Sequence, residues 1–370
     1  MTTNAVICEL NPMHRGHKYI FESAKDGSGA DSVNIAVMSG NFTQRATPAI
    51  FDKYTRAKAA VRCGADIVVE LPFPWCSSGV ESFALGGTAV VAGLCAEGLV
   101  FGSESGELDL LNRVANVKSS PEYREAIVKA ESESPRLGNA VVFDEVMKSF
   151  GIPESLGAND KLGAEYIRFG REQGVSEFRP IPRLSEMKSA TELREIIFTL
   201  GVDACREYIP AEAYETFVIS EACPEELYNE LLFTYCRLAW HRADSDILSY
   251  AAKVARASSN AQELIPSLPT KKYTTARLRR EILFSIIGAS ETKIAPAFTV
   301  LLAMNDKGRA YLSENKKRFS IPVITKPADT DSLDETGRAQ YAAHLKADEI
   351  YALCTGKSAD EYIKKHPHLI

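Results

Sequence analysis

Two histidines near the start of the chain, His14 and His17, are the side chains best placed to do chemistry. They follow a short apolar run that ends in Asn-Pro, and they flank Gly16 at the start of a segment with helical character. Side chains three residues apart lie on one face of a helix, and the first turn also presents unpaired N–H groups and the positive end of the helix dipole. Such a helix start binds phosphate groups, and a glycine lets a ligand approach the backbone. The alternative is a pair of surface polar residues.

A second polar motif, Ser189-Ala190-Thr191-Glu192-Leu193-Arg194, follows a predicted extended segment that ends at Arg183. Ser189 and Glu192 have the spacing of a capping box, which predicts a helix start for local reasons alone. Hydroxyls and a guanidinium at such a start can also bind phosphates, because the planar guanidinium of Arg194 can contact two oxygens together. Both motifs together predict a triphosphate site formed by His14, His17, Arg183, Ser189, Thr191 and Arg194.

The elements that would position these motifs alternate between strand and helix through residues 1–200. Buried strands are expected at about 5–8, 32–38, 65–72 and 98–106, with a last extended segment at 178–183. Helices are expected between them, one from about Asp52 to Cys63 and another opened by Asn159 as its N-cap. This order predicts an α/β fold with a Rossmann-like parallel sheet and right-handed crossovers. Ligands of such folds bind at the carboxyl ends of the strands.

Beyond residue 200 the strand signals fade, and amphipathic helices are expected at 211–222, 224–242, 247–258 and 273–287. We therefore predict a catalytic domain at residues 1–200 and a mainly α-helical domain at residues 201–370. The second domain carries a basic segment whose cations include Lys271, Lys272, Arg277 and Arg280. Such a run is usually a solvated helix face; beside Tyr273 it is also a candidate contact for an RNA backbone.

The amino-acid composition limits the classes of protein to which the chain can belong. The 370 residues carry a formal net charge of −6, so an RNA partner must be bound by a local basic surface. Eight scattered cysteines include no C-x-x-C pair, which favours reduced thiols in a cytoplasm over a zinc site or a disulfide framework. No signal peptide or membrane-length apolar run is recognisable. We expect a cytoplasmic protein with no membrane partner, no DNA partner and no metal site of its own.

The stretch Glu9-Leu10-Asn11-Pro12-Met13-His14-Arg15-Gly16-His17 resembles the H-x-G-H signature of nucleotidylyltransferases, and in its wider form the bacterial tRNA(Met) cytidine acetate ligases. The family's segment M-S-G-N-F-x-Q-R-G-E-P-A-I-x-x-K is similar to residues 38–53, with Ala46 and Thr47 in place of Gly-Glu. A further family segment, P-N-x-x-L-G-x-x-Y, is similar to residues 158–166, with Ala158 in place of proline. The stretch between Arg183 and Ser189 is shorter than in the family.

The resemblance implies an ATP-dependent ligase that forms acetyl-adenylate from acetate, releases pyrophosphate and acetylates N4 of the wobble cytidine in the anticodon loop of elongator tRNA(Met). It implies catalytic roles for His14, His17 and Lys53. The candidate tRNA contacts are Arg45 and, in the basic segment, Lys271, Lys272, Arg277 and Arg280. The ATP-binding residues that it implies are Ile7, Cys8, Glu9, Leu10, Asn11, Pro12, Met13, His14, Gly16, His17, Gly102, Asn159, Arg183, Ser189, Thr191 and Arg194. A requirement for Mg²⁺ is left open.

Two other functions remain open at this stage. One is a small-molecule adenylyl- or cytidylyltransferase of the same fold, which would need a basic pocket for a phosphorylated acceptor and no RNA. The other is a catalytically silent tRNA-binding protein that keeps the nucleotide fold.

Overall fold

The computed structural model describes residues 2–27, 31–134, 138–152, 156–184, 187–238, 245–358, 360 and 367–370. Their strands are β1 (Thr3–Cys8), β2 (Val33–Ser39), β3 (Ile67–Leu71), β4 (Gly98–Ser103), β5 (Glu177–Pro182), β6 (Thr299–Met304), β7 (Val323–Ile324) and β8 (His368–Leu369). Their helices are α1 (Arg15–Asp26), α2 (Lys53–Arg62), α3 (Val80–Gly93), α4 (Leu108–Ser119), α5 (Pro121–Glu133), α6 (Asn139–Ser149), α7 (Ala158–Glu172), α8 (Ala190–Leu200), α9 (Ala211–Phe217), α10 (Glu226–Leu238), α11 (Asp246–Ala257), α12 (Ala261–Ser267), α13 (Thr275–Ile287), α14 (Asp306–Asn315) and α15 (Glu335–Cys354).

One sheet runs through the molecule in the order β5-β4-β1-β2-β3-β6-β7, and β8 pairs with β6. The first five strands are parallel to one another, which confirms the predicted α/β fold with a Rossmann-like sheet. The chain adds β2 and β3 on one side of β1 and then β4 and β5 on the other. The order therefore reverses between β1 and β4, and ligands of open α/β sheets bind at this position.

Both faces of the sheet are covered where β1 to β4 lie, which is why these four strands are mostly apolar, whereas the edge strand β5 is only partly buried. Alternate residues of β1 and β2 enter two different hydrophobic clusters: Ile7 and Val37 pack on one face, and Val6 and Met38 on the other. The predicted strands needed no polar face because helices bury both sides.

The C-terminal half departs from its prediction in one respect. The four predicted helices are found as α9, α10, α11 and α13, with α9 ending at Phe217 and residues 239–242 of the predicted 224–242 helix outside the described residues; α12 was not predicted. However, β6 pairs antiparallel with β3, and β7 and β8 pair with β6, so strands are present after residue 200. A buried apolar run of six residues has no diagnostic periodicity, and its pairing with β3 is a distant contact. The division at residue 200 remains a prediction.

Among the described residues, no helix combines the length and the apolar character that crossing a membrane requires.

Candidate active site

The turn between β1 and α1 forms one wall of the candidate site. His14 is the N-cap of α1, and its Nδ1 accepts the N–H of Gly16 at 3.1 Å. The Nδ1 of His17 accepts the N–H of His14 at 3.3 Å, which completes a reciprocal capping box. Imidazoles here replace the hydroxyl and carboxylate of an ordinary capping box. The histidines therefore satisfy backbone donors that an anion would otherwise share.

The same hydrogen bonds determine where each imidazole carries its proton. An Nδ1 that accepts a hydrogen bond carries no proton, so the proton of the neutral ring is on Nε2. Burial, with a smaller contribution from Arg183, lowers the pKa of His14 to about 4. Burial and the neighbouring His14 and Arg183 lower the pKa of His17 as well. Near neutral pH both rings, stacked with centroids 3.9 Å apart, are uncharged Nε2–H donors.

Gly16 is required by this arrangement for a steric reason. A Cβ on Gly16 would lie 3.0 Å from Cε1 and 3.1 Å from Nδ1 of His14, tighter than ordinary van der Waals contact. The glycine thus leaves room for the His14 ring over the helix start.

Arg56, on α2, supports the turn after β1 from beneath. The guanidinium is fully buried and donates to the carbonyl oxygens of Glu9 at 2.6 Å, Phe51 at 2.8 Å and Ser39 at 3.1 Å, and also to that of Gly40. Arg56 therefore joins the ends of β1 and β2 through their carbonyl groups.

Lys53 does not have the position that its predicted catalytic role requires. Its Nζ lies 2.8 Å from Oε2 of Glu70 and 2.6 Å from Oδ2 of Asp348, and the side chain is 2% exposed. His344 lies beside both carboxylates. Lys53 does not line the cavity that contains the histidines, so we no longer assign it a catalytic role. The sequence could not show this, because Asp348 is contributed by α15, almost 300 positions away.

A cavity of about 500 Å³ opens at the carboxyl ends of β1, β4 and β5, where the strand order reverses. Most of the predicted ATP-binding residues line it: Ile7, Cys8, Glu9, Leu10, Asn11, His14, Gly16, His17, Gly102, Asn159, Arg183 and Ser189. The remaining four do not line it: Pro12, Met13, Thr191 and Arg194. Gln44 and Arg45 contribute to its wall from the loop after β2. The structure therefore brings both sequence motifs to one cavity.

The second motif meets the cavity at the start of α8. The predicted capping box is present, since the Ser189 hydroxyl accepts the N–H of Glu192 at 3.2 Å and the Glu192 carboxylate accepts the N–H of Ser189 at 2.7 Å. Arg194 donates to the carbonyl oxygen of Asn11 at 2.7 Å and to the Thr191 hydroxyl at 3.0 Å. Arg194 and Thr191 therefore hold the turn before α1, instead of extending into the cavity.

The far end of the cavity is formed by β4 and α7. A Cβ on Gly102 would meet only the Ile20 side chain, at 3.5 Å, so space above this glycine is open. Asn159 is the second residue of α7 and not its N-cap, which is Gly157; the sequence favoured asparagine because of its capping propensity. The Asn159 amide instead donates to Oε1 of Glu104 at 2.8 Å. Glu104 itself was not predicted, since only the fold brings it to α7.

The polar groups of the cavity carry both signs. Arg45, Arg183 and Lys188 contribute positive charge to its wall. Glu9 accepts the N–H of Gln44 at 2.6 Å, and burial raises the pKa of its carboxyl group. In the described part of the chain, no three His, Cys, Asp or Glu side chains are grouped as a metal site would require. Arginines and neutral histidine donors around a helix start can bind phosphates and stabilise negative charge on a leaving group.

The basic residues predicted to contact RNA fall into two groups. Lys271 and Lys272 are exposed, and the guanidinium of Arg277 lies 5.4 Å from the centre of the Tyr273 ring. Arg280 instead donates to the carbonyl oxygens of Ser77 at 2.7 Å and Gln44 at 3.1 Å. Arg280 therefore fixes the loop that carries Gln44 and Arg45, and we withdraw it as a free RNA contact.

Comparison with known proteins places this site in a family. A family model described as HIGH nucleotidyl transferase matches residues 1–366, and the chain belongs to that family. The tRNA(Met) cytidine acetate ligase of Limosilactobacillus reuteri is 30% identical, with all of both chains covered. The ligase of the same name from Caldanaerobacter subterraneus subsp. tengcongensis is 28% identical over 95% of each chain. Within the family, the chain is thus one of the tRNA(Met) cytidine acetate ligases.

Solved structures agree with this assignment. The crystal structure of Thermotoga maritima TmcAL bound with alpha-thio ATP is 26% identical and covers all of both chains, with a TM-score of 0.91. The apo form of the same protein gives a TM-score of 0.89.

Proposed function

We propose that the protein activates acetate with ATP and transfers the acetyl group to N4 of the wobble cytidine in the anticodon loop of tRNA(Met). The observation that carries the proposal is the cavity in which two neutral Nε2–H histidines and the starts of α1 and α8 meet at the strand ends. Family membership and the relatives' names support the choice of acetate and tRNA(Met) as substrates. The activity would take place in the cytoplasm, with tRNA.

In the first step an acetate oxygen attacks the α-phosphorus of ATP, and the bond from that phosphorus to the α–β bridging oxygen breaks. Negative charge develops on the departing pyrophosphate. Hydrogen bonds from the Nε2–H groups of His14 and His17 would stabilise that charge, and they require no proton transfer. The chain's contribution is alignment and charge stabilisation, which in-line displacement at phosphorus chiefly requires.

In the second step the N4 amine of cytidine attacks the acetyl carbonyl carbon of acetyl-adenylate. The bond from that carbon to the phosphate oxygen breaks, AMP departs, and N4 loses one proton to solvent. The cytidine must reach the same cavity, which requires a base turned out of the anticodon loop, the usual mode of single-stranded RNA recognition.

The deciding experiment measures pyrophosphate release from ATP by the full-length protein, with and without acetate, followed by transfer of labelled acetate to tRNA(Met). We expect acetate-dependent release and label on the tRNA, and no label on a tRNA(Met) whose wobble cytidine is replaced by uridine. Pyrophosphate release that does not depend on acetate would favour a small-molecule adenylyl- or cytidylyltransferase. ATP binding without pyrophosphate release would favour a catalytically silent tRNA-binding protein. Parallel assays with EDTA and with Mg²⁺ decide the metal requirement.

The proposed tRNA surface consists of Lys271, Lys272 and Arg277. Replacing all three with alanine should weaken tRNA(Met) binding and lower its salt dependence, because fewer phosphates would be neutralised. Acetate-dependent pyrophosphate release should be unchanged, since these residues do not line the cavity. Lys129→Ala, on α5 and 75% exposed, is the matched control. Filter binding that shows unchanged tRNA affinity in the triple variant would remove this surface from the proposal.

A further inference from the structure

The carboxylate of Glu104, just beyond the end of β4, is held in a fixed position at the edge of the cavity. Its Oε1 accepts the Asn159 amide at 2.8 Å, and its Oε2 accepts the N–H of Asp160 at 3.0 Å. Asp160 in turn accepts the N–H groups of Glu104 at 3.0 Å and Ser105 at 3.2 Å. The start of α7 and the turn after β4 therefore fix each other.

Gly157 shows how closely this carboxylate is fitted. A Cβ at Gly157 would collide with the Glu104 carboxyl group, so only glycine lets the carboxylate reach the start of α7. The Glu104 side chain nevertheless remains 30% exposed and lines the cavity. Oε1 accepts both the Asn159 side-chain amide and, at 3.3 Å, the Asn159 backbone N–H, whereas Oε2 accepts the N–H of Asp160, so one lone pair of Oε2 remains to accept a further hydrogen bond.

The direction in which a nucleotide would lie in the cavity follows from where its phosphates and its nucleoside can bind. Phosphates belong at the start of α1, where the positive end of the helix dipole and the two histidine Nε2–H donors are. The nucleoside must then extend across the strand reversal towards β4. Its path crosses Gly102, where the structure leaves space that no side chain fills. The first group beyond the phosphates is the pentose, which would lie over Gly102 and beside Glu104.

Charge does not prevent a carboxylate from contributing to an ATP site here. The guanidinium of Arg183 lies 3.6 Å from Oε1 of Glu104, and the positive end of the α7 dipole faces the same carboxylate. Both offset its repulsion of the triphosphate. The remaining lone pair of Oε2 can accept a hydrogen bond from one hydroxyl group.

We propose that Glu104 binds a ribose hydroxyl group of ATP and makes the site selective for ribonucleotides over deoxyribonucleotides. This inference rests on the proposed function only in that the cavity binds ATP. It assigns Glu104 a role in substrate selection and no role in the chemical steps.

The test measures dissociation constants of ATP, 2′-deoxy-ATP and 3′-deoxy-ATP for the full-length protein by equilibrium dialysis. The wild-type protein should bind at least one deoxy analogue about 10- to 100-fold more weakly than ATP, the range for lost hydrogen bonds to a charged group. Glu104→Ala should weaken ATP binding by a similar factor and bring the three constants within about twofold of one another. A purely structural role would weaken all three nucleotides equally and leave their ratios unchanged, which would overturn the proposal.

Two variants control the test. Glu104→Gln keeps the side-chain shape and one acceptor oxygen, and it serves as the test variant if Glu104→Ala fails to fold. The preference of Glu104→Gln for ATP over the deoxy analogues should be at least about threefold lower than that of the wild-type protein. Glu107→Ala removes a nearby exposed carboxylate that does not line the cavity, and it should keep the wild-type ratios. Equal binding of all three nucleotides by the wild-type protein would also overturn the proposal. Because binding is measured without acetate or tRNA, failure of the ligase reaction would be recognised separately.

Discussion

His14 combines two roles in one imidazole ring. Its Nδ1 caps α1 by accepting the N–H of Gly16, and this contact leaves the proton on Nε2. An ordinary capping residue would stabilise the helix equally well but would present no second donor. The two nitrogens of histidine therefore separate a structural role from a chemical one.

Replacing His14 with asparagine should separate these roles experimentally. The asparagine oxygen can accept the same N–H group, and asparagine is among the best N-cap residues, so the melting temperature should change little. Loss of the Nε2–H donor should slow acetate-dependent pyrophosphate release by about 100-fold or more. His14→Ala, which loses both the cap and the donor, should be equally slow and about 1 kcal/mol less stable than His14→Asn. Wild-type activity in His14→Asn would exclude the donor role.

The low pKa of His14 predicts how stability depends on pH. The unfolded imidazole binds a proton below pH 6.5, whereas the folded one binds it only near pH 4. Between these values the unfolded state holds more protons, so the free energy of unfolding falls as the pH decreases. From pH 7 to pH 5, the free energy of unfolding should fall by about 1 kcal/mol less in His14→Asn than in the wild-type protein, a value already reduced to allow for solvent near the cavity. Urea unfolding at the two pH values measures this difference. Equal losses would mean that the folded imidazole is not held neutral.

At the scale of elements, α2 anchors the turns after β1 and β2. Arg56 of α2 donates to carbonyl groups at the ends of both strands, and Asn41 accepts the N–H of Lys53 at the start of the same helix, at 2.9 Å. The loop that presents Gln44 and Arg45 to the cavity thus depends on α2. Arg280 of α13 secures the same loop from the other side.

Arg56→Lys should destabilise the protein although the charge is kept. A lysine ammonium cannot reproduce the fork of a guanidinium, so at least one buried carbonyl group would lose its donor, at a cost of about 1–3 kcal/mol. ATP affinity should fall as well, because the turn before α1 would lose its support. Urea unfolding gives the first quantity and equilibrium dialysis the second. Arg62→Lys, in the more exposed last turn of α2, should change neither.

At the scale of the whole molecule, the C-terminal half completes the first half. It extends the sheet through β6, β7 and β8, and α15 contributes Asp348 to the buried charges around Lys53. Asp348 also accepts a hydrogen bond from the Asn41 amide at 2.8 Å. The loop beside the nucleotide cavity is therefore fixed by a helix from the far end of the chain.

Lys53→Met should lower the stability of the protein and leave its catalytic activity nearly unchanged. Glu70 and Asp348 would remain buried without their cation, which costs about 3–5 kcal/mol. Pyrophosphate release per folded molecule should stay within about threefold of wild type. Lys58→Met, at a partly exposed position of α2, controls for the loss of a lysine from that helix. A variant with normal urea stability but no pyrophosphate release would return Lys53 to the catalytic residues.

The parts of this protein that the sequence determined are those governed by local physics. The first four strands follow from apolar runs, the start of α8 from the Ser189–Glu192 capping box, and the start of α1 from the spacing of His14, Gly16 and His17. Each depends on neighbours within a few residues, so its pattern is visible in the chain. Residues that line the cavity were predictable to the extent that they lie in these motifs.

The tertiary structure alone decided what distant segments do to one another. Lys53 was predicted to be catalytic and Arg280 to contact RNA, but packing places Lys53 in a buried ion pair and makes Arg280 a donor to backbone carbonyl groups. The contact of Glu104 with the start of α7 and the pairing of β6 with β3 both join segments that are far apart in the sequence. The partner of a charge or a strand edge is chosen by the fold as a whole, because burial forces each to find a complement that no local pattern records.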